Sequence, residues 1–287
     1  MTLAEPKLRR IAMHPNKRYL GYVCRFRSEH PKLCSLFLFQ HETVIDLDIL
    51  ECSNFKILRV LTIIAKYDDE WHVSSEIDSL HHLRYLKLYG RRMILPRAIG
   101  RLKSLHTLYI KYHAYISIPN VLSKLERLRH IVLHHIHIHK VWYSKEVHRQ
   151  PSFFPKNIET LKHIVVDEKL IESKAVVGLS NLQILGMVFK REKDAKPILM
   201  LLRELQRLVS LNMEFERGST TAYPDLEHLS QYHRLSKLML EGELKEDPQQ
   251  SYHVLEFLPP NIVKLTLSHT RMKHDPMGVS EKCHDCR

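Results

Sequence analysis

A chain of 287 residues with 44% hydrophobic content can bury a sizeable core and is not expected to be mainly disordered. Its 44 Lys and Arg against 32 Asp and Glu give a formal charge of +12, which suits an acidic or nucleic-acid partner and equally the solvated surface of a basic protein. The most apolar run, VLTIIA at 60–65, is far too short for a membrane span, and MTLAEPKLRRIAMHPNKR at the start has no apolar signal core, so the expected compartment is cytoplasmic or nuclear.

Along the chain one pattern recurs, L-x-x-L-x-L with aliphatic substitutes. It starts at Leu8 (LRRIAM), Leu33 (LCSLFL), Leu58 (LRVLTI), Leu83 (LRYLKL), Leu105 (LHTLYI) and Leu128 (LRHIVL). It continues at Leu161 (LKHIVV), Leu182 (LQILGM), Leu208 (LVSLNM), Leu235 (LSKLML) and Ile262 (IVKLTL). Successive starts are 25, 25, 25, 22, 23, 33, 21, 26, 27 and 27 residues apart, and all but the 33 fall in the range of leucine-rich repeats. The copy NIETLKHIVV has two registers; starting at Leu161 is preferred, because starting at Ile158 puts His163 at an inward apolar position.

Within LRYLKL, alternation makes Leu86 and Leu88 the inward residues of a short strand with Lys87 outward, and Leu83 closes the same core. One unit cannot bury its own apolar side, so neighbours must stack. The expected fold is an α/β leucine-rich-repeat solenoid, a curved right-handed horseshoe with a parallel sheet on the concave face and short helical or irregular returns on the convex face. The returns LPRAIGRLKS (95–104) and IPNVLSKLER (118–127) begin at proline and space Ile99 with Leu102, and Leu122 with Leu125, as a helical turn does. Residues 1–277 are expected to form a single repeat domain of nine units, or eleven if the first two, whose flanks differ, are counted. An insertion at about 138–157, with a loop-rich return at Gln150 to Pro155, accounts for the long spacing, and 278–287 is a polar tail.

Two features invite a chemical reading. Five cysteines at irregular spacing do not suggest a disulfide framework, and the CHDC of 283–286 supplies only half the ligands of a closed zinc site. In RHIVLHHIHIHK, Leu128, Ile131 and Leu133 are inward, which leaves His130 and His134 on the concave face or its rim. Ile136 and Ile138 would continue the core side and turn His135, His137 and His139 outward, a spacing of two that can bind a transition metal but lacks an identifiable outer shell. No metal site, cofactor site or catalytic residue is assigned. The chain has no G-x-S-x-G, H-E-x-x-H or phosphate-binding glycine loop.

The segment LHHLRYLKLYGRRMILPRAIGRLKSLHTLYI (80–110) resembles the repeat region of plant intracellular immune receptors, the nucleotide-binding leucine-rich-repeat family. FLPPNIVKLTLSHTRMKHDPM (257–277) is similar to a series found late in the coiled-coil subclass, and LRRIAMHPNKR resembles the segment just after the nucleotide-binding module. No G-x-x-x-x-G-K-[ST] accompanies them, and the DPM series runs into GVSEKCHDCR, so the resemblance implies a truncated receptor lacking its nucleotide-binding module. It implies a role in pathogen defence, through recognition of a pathogen effector or guarded host protein, or restraint of the missing module. The residues themselves point to a protein-binding face made of Arg84, Tyr85, Lys87, Tyr89, His106, Tyr109, Lys111, Arg129, His130 and His134, since Arg and Tyr are enriched at interfaces. Asn212, Glu214, Lys237 and Glu241 make the later face more mixed. A basic scaffold of repeats alone, or a nucleic-acid-binding solenoid, are the alternatives the charge leaves open.

Overall fold

The computed structural model describes residues 8–14, 32–40, 55–65, 70–135, 140–143, 153–166, 168–172, 176, 178–215, 222–223, 226–244 and 258–270. The chain divides into two compact units, residues 1–149 and 150–287.

In the first unit the strands are β1 (Arg10–Met13), β2 (Ser35–Gln40), β3 (Val60–Ala65), β4 (Glu70–His72), β5 (Tyr85–Ile94), β6 (Thr107–Ile118), β7 (His130–His135) and β8 (Lys140–Tyr143). Six of them form an open parallel ladder in the order β1-β2-β3-β5-β6-β7. Its register keeps like positions of the repeat side by side: Ile11, Leu36, Leu61, Leu86, Leu108 and Ile131 align, so the first two copies are in step with the rest. Leu86, Leu88, Leu108 and Ile110 are 0% exposed, each worth roughly 1.5–3 kcal/mol of burial.

The return segments explain why an aliphatic residue stands every third position before β5, β6 and β7. Leu80 N–H donates to the Ile77 carbonyl and Leu83 N–H to that of Leu80; Leu102 and Leu105, then Leu125 and Leu128, repeat the device. Two successive three-residue turns thus aim three aliphatic side chains at one core.

Two strands are longer than the motif requires. β5 and β6 run 10 and 12 residues, with a register shift between Gly90 and Arg92. Past the shift, β4 pairs with β5 and β8 with β6, both parallel, which gives a second short ladder β4-β5-β6-β8. KVWY, expected to lie in a looped insertion, is therefore the strand β8; a four-residue run finds its partner only because β6 extends to meet it. Gly90 leaves room for the buried Trp71, since a Cβ there would come within 3.1 Å of the indole and of Met93.

The second unit contains β9 (Thr160–Val166), α1 (Glu168–Glu172), β10 (Ile184–Phe189), α2 (Glu192–Leu201), β11 (Ser210–Phe215), β12 (Ala222–Tyr223), β13 (Lys237–Glu241), β14 (Glu243–Leu244) and β15 (Lys264–Ser268). Its ladder is β9-β10-β11-β13-β15, all parallel, with β12 and β14 forming a separate pair.

The preferred register of NIETLKHIVV is corrected by β9. Leu161 aligns with Leu185, the second aliphatic of its motif, so the copy starts at Ile158, which is fully buried. His163 nevertheless does not enter the core. A shift between Leu185 and Met187 sets Lys162 and His163 against the single Gly186, His163 takes φ 56°, and Ile164 fills the inward slot opposite Met187. The bulge needs Gly186, because a Cβ there would lie 3.1 Å from His163 N and 3.3 Å from Lys162 Cα. With Ile158 as the start, the spacings 33 and 21 become 30 and 24 (128 to 158, then 158 to 182).

Leu108→Ala should lower unfolding stability by about 2–5 kcal/mol, and Thr107→Ala, beside it on the outward face, by no more than about 1 kcal/mol, measured by urea denaturation. Gly186→Val should cost about 1–3 kcal/mol by the same measurement, because the bulged backbone opposite has no space to yield.

Candidate functional site

Burial of alternate residues leaves the other side of each ladder as a surface, and the register says which outward side chains meet. In the first unit Val60, Tyr85, Thr107 and His130 form one row, Thr62, Lys87, Tyr109 and Val132 the next, and Ile64, Tyr89, Lys111 and His134 a third. The described outward residues of the expected face that lie on strands are half-buried, as side chains packed against sheet neighbours are. Arg84, His106 and Arg129 are not in the strands but immediately before them. There the main chain steps from repeat to repeat: Arg84 N–H donates to the Arg59 carbonyl at 2.8 Å, His106 N–H to Arg84 at 2.8 Å and Arg129 N–H to His106 at 2.9 Å. His106 Nδ1 is 2.6 Å from the Ser104 carbonyl, which fixes the ring.

At the centre, lysine and tyrosine alternate across β5 and β6. Lys87 Nζ lies 5.0 Å from the Tyr109 ring centroid and Lys111 Nζ 5.5 Å from that of Tyr89, two cation–π contacts crossing the same pair of strands. The Tyr89 hydroxyl and His113 Nε2 are hydrogen-bonded at 2.5 Å. Partial burial and the neighbouring Tyr109 push the Tyr85 hydroxyl above its ordinary pKa, so it stays a neutral donor at physiological pH. The array is rigid, aromatic and cationic, and it offers donors.

The expected face begins at Arg84 and leaves out the three strands that precede β5 in the ladder. Phe37 and Phe39 on β2, and Val60 and Ile64 on β3, are outward and half-buried, aligned with the rows just described. The period-two alternation of SLFLFQ carried that signal. Phe39 stacks on His14 at 4.6 Å between centroids.

The face of the second unit is chemically different. Asn212 Nδ2 donates to Glu214 Oε1 at 3.0 Å, and His163 Nε2 lies 3.5 Å from the same oxygen, so the bulged histidine is placed by its carboxylate neighbour. Glu214 and Glu241 are directly aligned on β11 and β13, and His269 Nδ1 is 3.8 Å from Glu241. Lys237 is exposed at the start of β13. Beneath this face Tyr223, 1% exposed, donates its hydroxyl towards the carbonyls of Met213, at 2.6 Å, and Glu241, at 3.0 Å.

Of the histidine cluster, His130 and His134 lie on β7 as outward residues. Only the backbone of His135 is described, and Ile136, His137, Ile138 and His139 are outside the described residues, as are the CHDC cysteines and the tail at 278–287. Among the described residues no three His, Cys, Asp or Glu side chains are placed to hold a metal ion, and no helix is long and apolar enough to cross a membrane.

The family described as "Leucine-rich repeat region" matches residues 32–273. Disease resistance RPP8-like protein 3 of Arabidopsis thaliana is 26% identical over 285 residues, covering 96% of this chain and 29% of the relative. ToMV susceptible protein tm-2 of Solanum lycopersicum is 27% identical over 278 residues, covering 91% and 30%. The chain thus spans less than a third of either relative. Among solved structures, a leucine-rich-repeat protein of Leptospira interrogans matches with TM-score 0.56 and 19% identity over 98% of this chain and 69% of that one. An internalin of Listeria monocytogenes matches with TM-score 0.52 and 18% identity over 85% and 62%. Both support the fold.

Burial holds the Tyr223 and Tyr112 hydroxyls well above the usual tyrosine range. For a raised pKa the stabilisation is complete below the unfolded value and is lost as pH rises through the folded one, so stability should decline once pH passes about 10. Tyr223→Phe should cost about 1–3 kcal/mol at neutral pH, by leaving two carbonyls without their donor, and should make the alkaline decline shallower in urea titrations run at pH 7 to 11.

Proposed function

Because the chain belongs to the leucine-rich repeat region family, we propose that it is the non-catalytic, protein-binding repeat module of a plant disease resistance receptor acting in the cytoplasm. Its task in this reading is to recognise a pathogen effector or a guarded host protein, or to restrain a nucleotide-binding module. The observation that carries the reading is the outward face of β5 and β6, where Tyr85, Lys87, Tyr89, Tyr109 and Lys111 stand in register over an apolar core. Large rigid side chains on a strand-built platform lose little conformational entropy on binding, which is what an interface centre requires. The outward side chains present donors, cations and ring faces, a set suited to holding a surface rather than to moving protons or electrons on a substrate.

The excess charge of +12 favours a second reading, a nucleic-acid-binding solenoid, which predicts affinity that falls steeply with salt and ignores protein identity. Binding of candidate effectors and host proteins should separate the two. Tyr85→Ala with Tyr109→Ala should weaken a protein partner at least about tenfold while a cooperative melting transition is kept, at a somewhat lower temperature, whereas Asn212→Ala with Lys237→Ala should not weaken it. A partner insensitive to the tyrosine changes, or tight binding of any nucleic acid in place of proteins, would overturn the proposal.

A further inference from the structure

The charge of the first unit's strand face is one-sided in a way that a general protein-binding surface does not require. Across the six repeat windows at 8–14, 33–39, 58–64, 83–89, 105–111 and 128–134 there are five arginines and two lysines, and no Asp or Glu. The windows of the second unit place Glu214 and Glu241 on their outward side. The arginines are also ordered. Arg59, Arg84 and Arg129, with His106 between the last two, occupy the same position of successive repeats, joined by main-chain hydrogen bonds of 2.8–2.9 Å from each N–H to the preceding carbonyl. Neighbouring strands lie about 4.8 Å apart, so Arg59 and Arg84 stand one strand apart and Arg129 follows two strands beyond Arg84. All three arginines are exposed. Setting Arg59 beside Arg84 on neighbouring strands costs free energy in the unbound protein, and an anionic partner relieves it.

On β2 and β3 the face beside this row is apolar. Val60 follows Arg59 directly, Phe37 stands one row further along the strands, and Phe39 with Ile64 one row beyond that, all half-buried. Cations along one margin and aromatic and aliphatic side chains within call for a ligand that carries carboxylates and apolar anchors together. We propose that this face binds an acidic polypeptide segment, with Asp or Glu side chains paired to Arg59 and Arg84 and apolar residues seated on Phe37 and Ile64. The inference rests on the reading of this face as an interface and adds the chemistry of its partner.

A single-stranded nucleic acid would meet the same charge, yet it needs open aromatic faces on which bases stack. Here those faces already carry other groups. Lys87 and Lys111 lie over Tyr109 and Tyr89, and His14 is stacked on Phe39 with only 13° between the ring planes. Carboxylates, by contrast, match the guanidinium fork and leave the rings as they are.

The test uses the 287-residue chain in anisotropy titrations with three labelled probes: a short peptide alternating Glu with Leu, the same peptide with Gln for Glu, and an oligo-dT of similar length. The Glu peptide should bind at least about tenfold more tightly than the Gln peptide, and more tightly than oligo-dT. Arg59→Glu with Arg84→Glu should abolish that preference without changing the melting curve, since both side chains are exposed. Lys237→Glu with Lys264→Glu should leave it intact. Equal affinity for the Glu and Gln peptides, or indifference to the arginine reversals, would overturn the inference, and tighter binding of oligo-dT would replace it with nucleic-acid recognition. A natural partner lost with the Tyr85 and Tyr109 changes but indifferent to the arginine reversals would leave the interface standing and remove only the acidic partner. Indifference to both sets would remove both.

Discussion

Everything in this protein depends on one constraint: a repeat that presents two inward aliphatic residues per strand has no opposite layer of its own. Leu86 and Leu88 are fully buried only because Leu61 and Ile63 on one side, and Leu108 and Ile110 on the other, continue the same lines. The parallel main-chain ladder enforces this. A slip of one residue would turn each aliphatic line outward and each Lys or Tyr inward, so the register is the only one that leaves no charge buried. The turns before β5, β6 and β7 serve the same end, delivering a third aliphatic line through a pair of short hydrogen-bonded bends.

Because the core is specified by inward positions, the outward positions can vary at small cost in stability, and the chain uses that freedom unevenly. In the first unit they carry phenylalanine, tyrosine, lysine and histidine; in the second, asparagine, glutamate and methionine. Lysine placed over tyrosine at Lys87–Tyr109 and Lys111–Tyr89 orders the long aliphatic stems before any partner arrives, so less side-chain entropy remains to be lost on association.

The repeating lines of the core were legible in the sequence, because burial follows a period-two alternation that composition alone exposes at Leu86, Leu108 or Leu211. So was the part of the face from Tyr85 onward, which is that alternation read from its other side. What could not be read depends on residues distant in sequence. His163 is ejected from an inward position because Gly186, 23 residues later, leaves space for a bulge. KVWY becomes a strand because β6 runs past the motif, and that extension is supported in turn by β5 and the buried Trp71 beneath Gly90. Neither relation is local, and no periodicity encodes it. Phe37 and Phe39 are another matter: the alternation in SLFLFQ is plain, and only the flanks of that copy differ from the others.

The remaining question is how the ladder ends without leaving main-chain groups unpaired, since many such repeats place an asparagine just past the strand and this chain has Arg91 at that slot after Leu88. The two units answer differently. The first prolongs β5 and β6 beyond their register shift and pairs the extra length with β4 and β8, so that more strand satisfies the strand. The second turns a buried tyrosine onto the problem: the Tyr223 hydroxyl reaches the carbonyls of Met213 and Glu241, on two adjacent strands, at 2.6 and 3.0 Å. A phenol donates one proton between those acceptors at any instant, and its ring packs against Phe215 at 4.6 Å. It therefore braces the ends of β11 and β13, whose spacing the parallel ladder already sets, by packing as much as by hydrogen bonding. Glu214 and Glu241 stand side by side at those ends, so a residue with no access to solvent supports the backbone that presents two carboxylates.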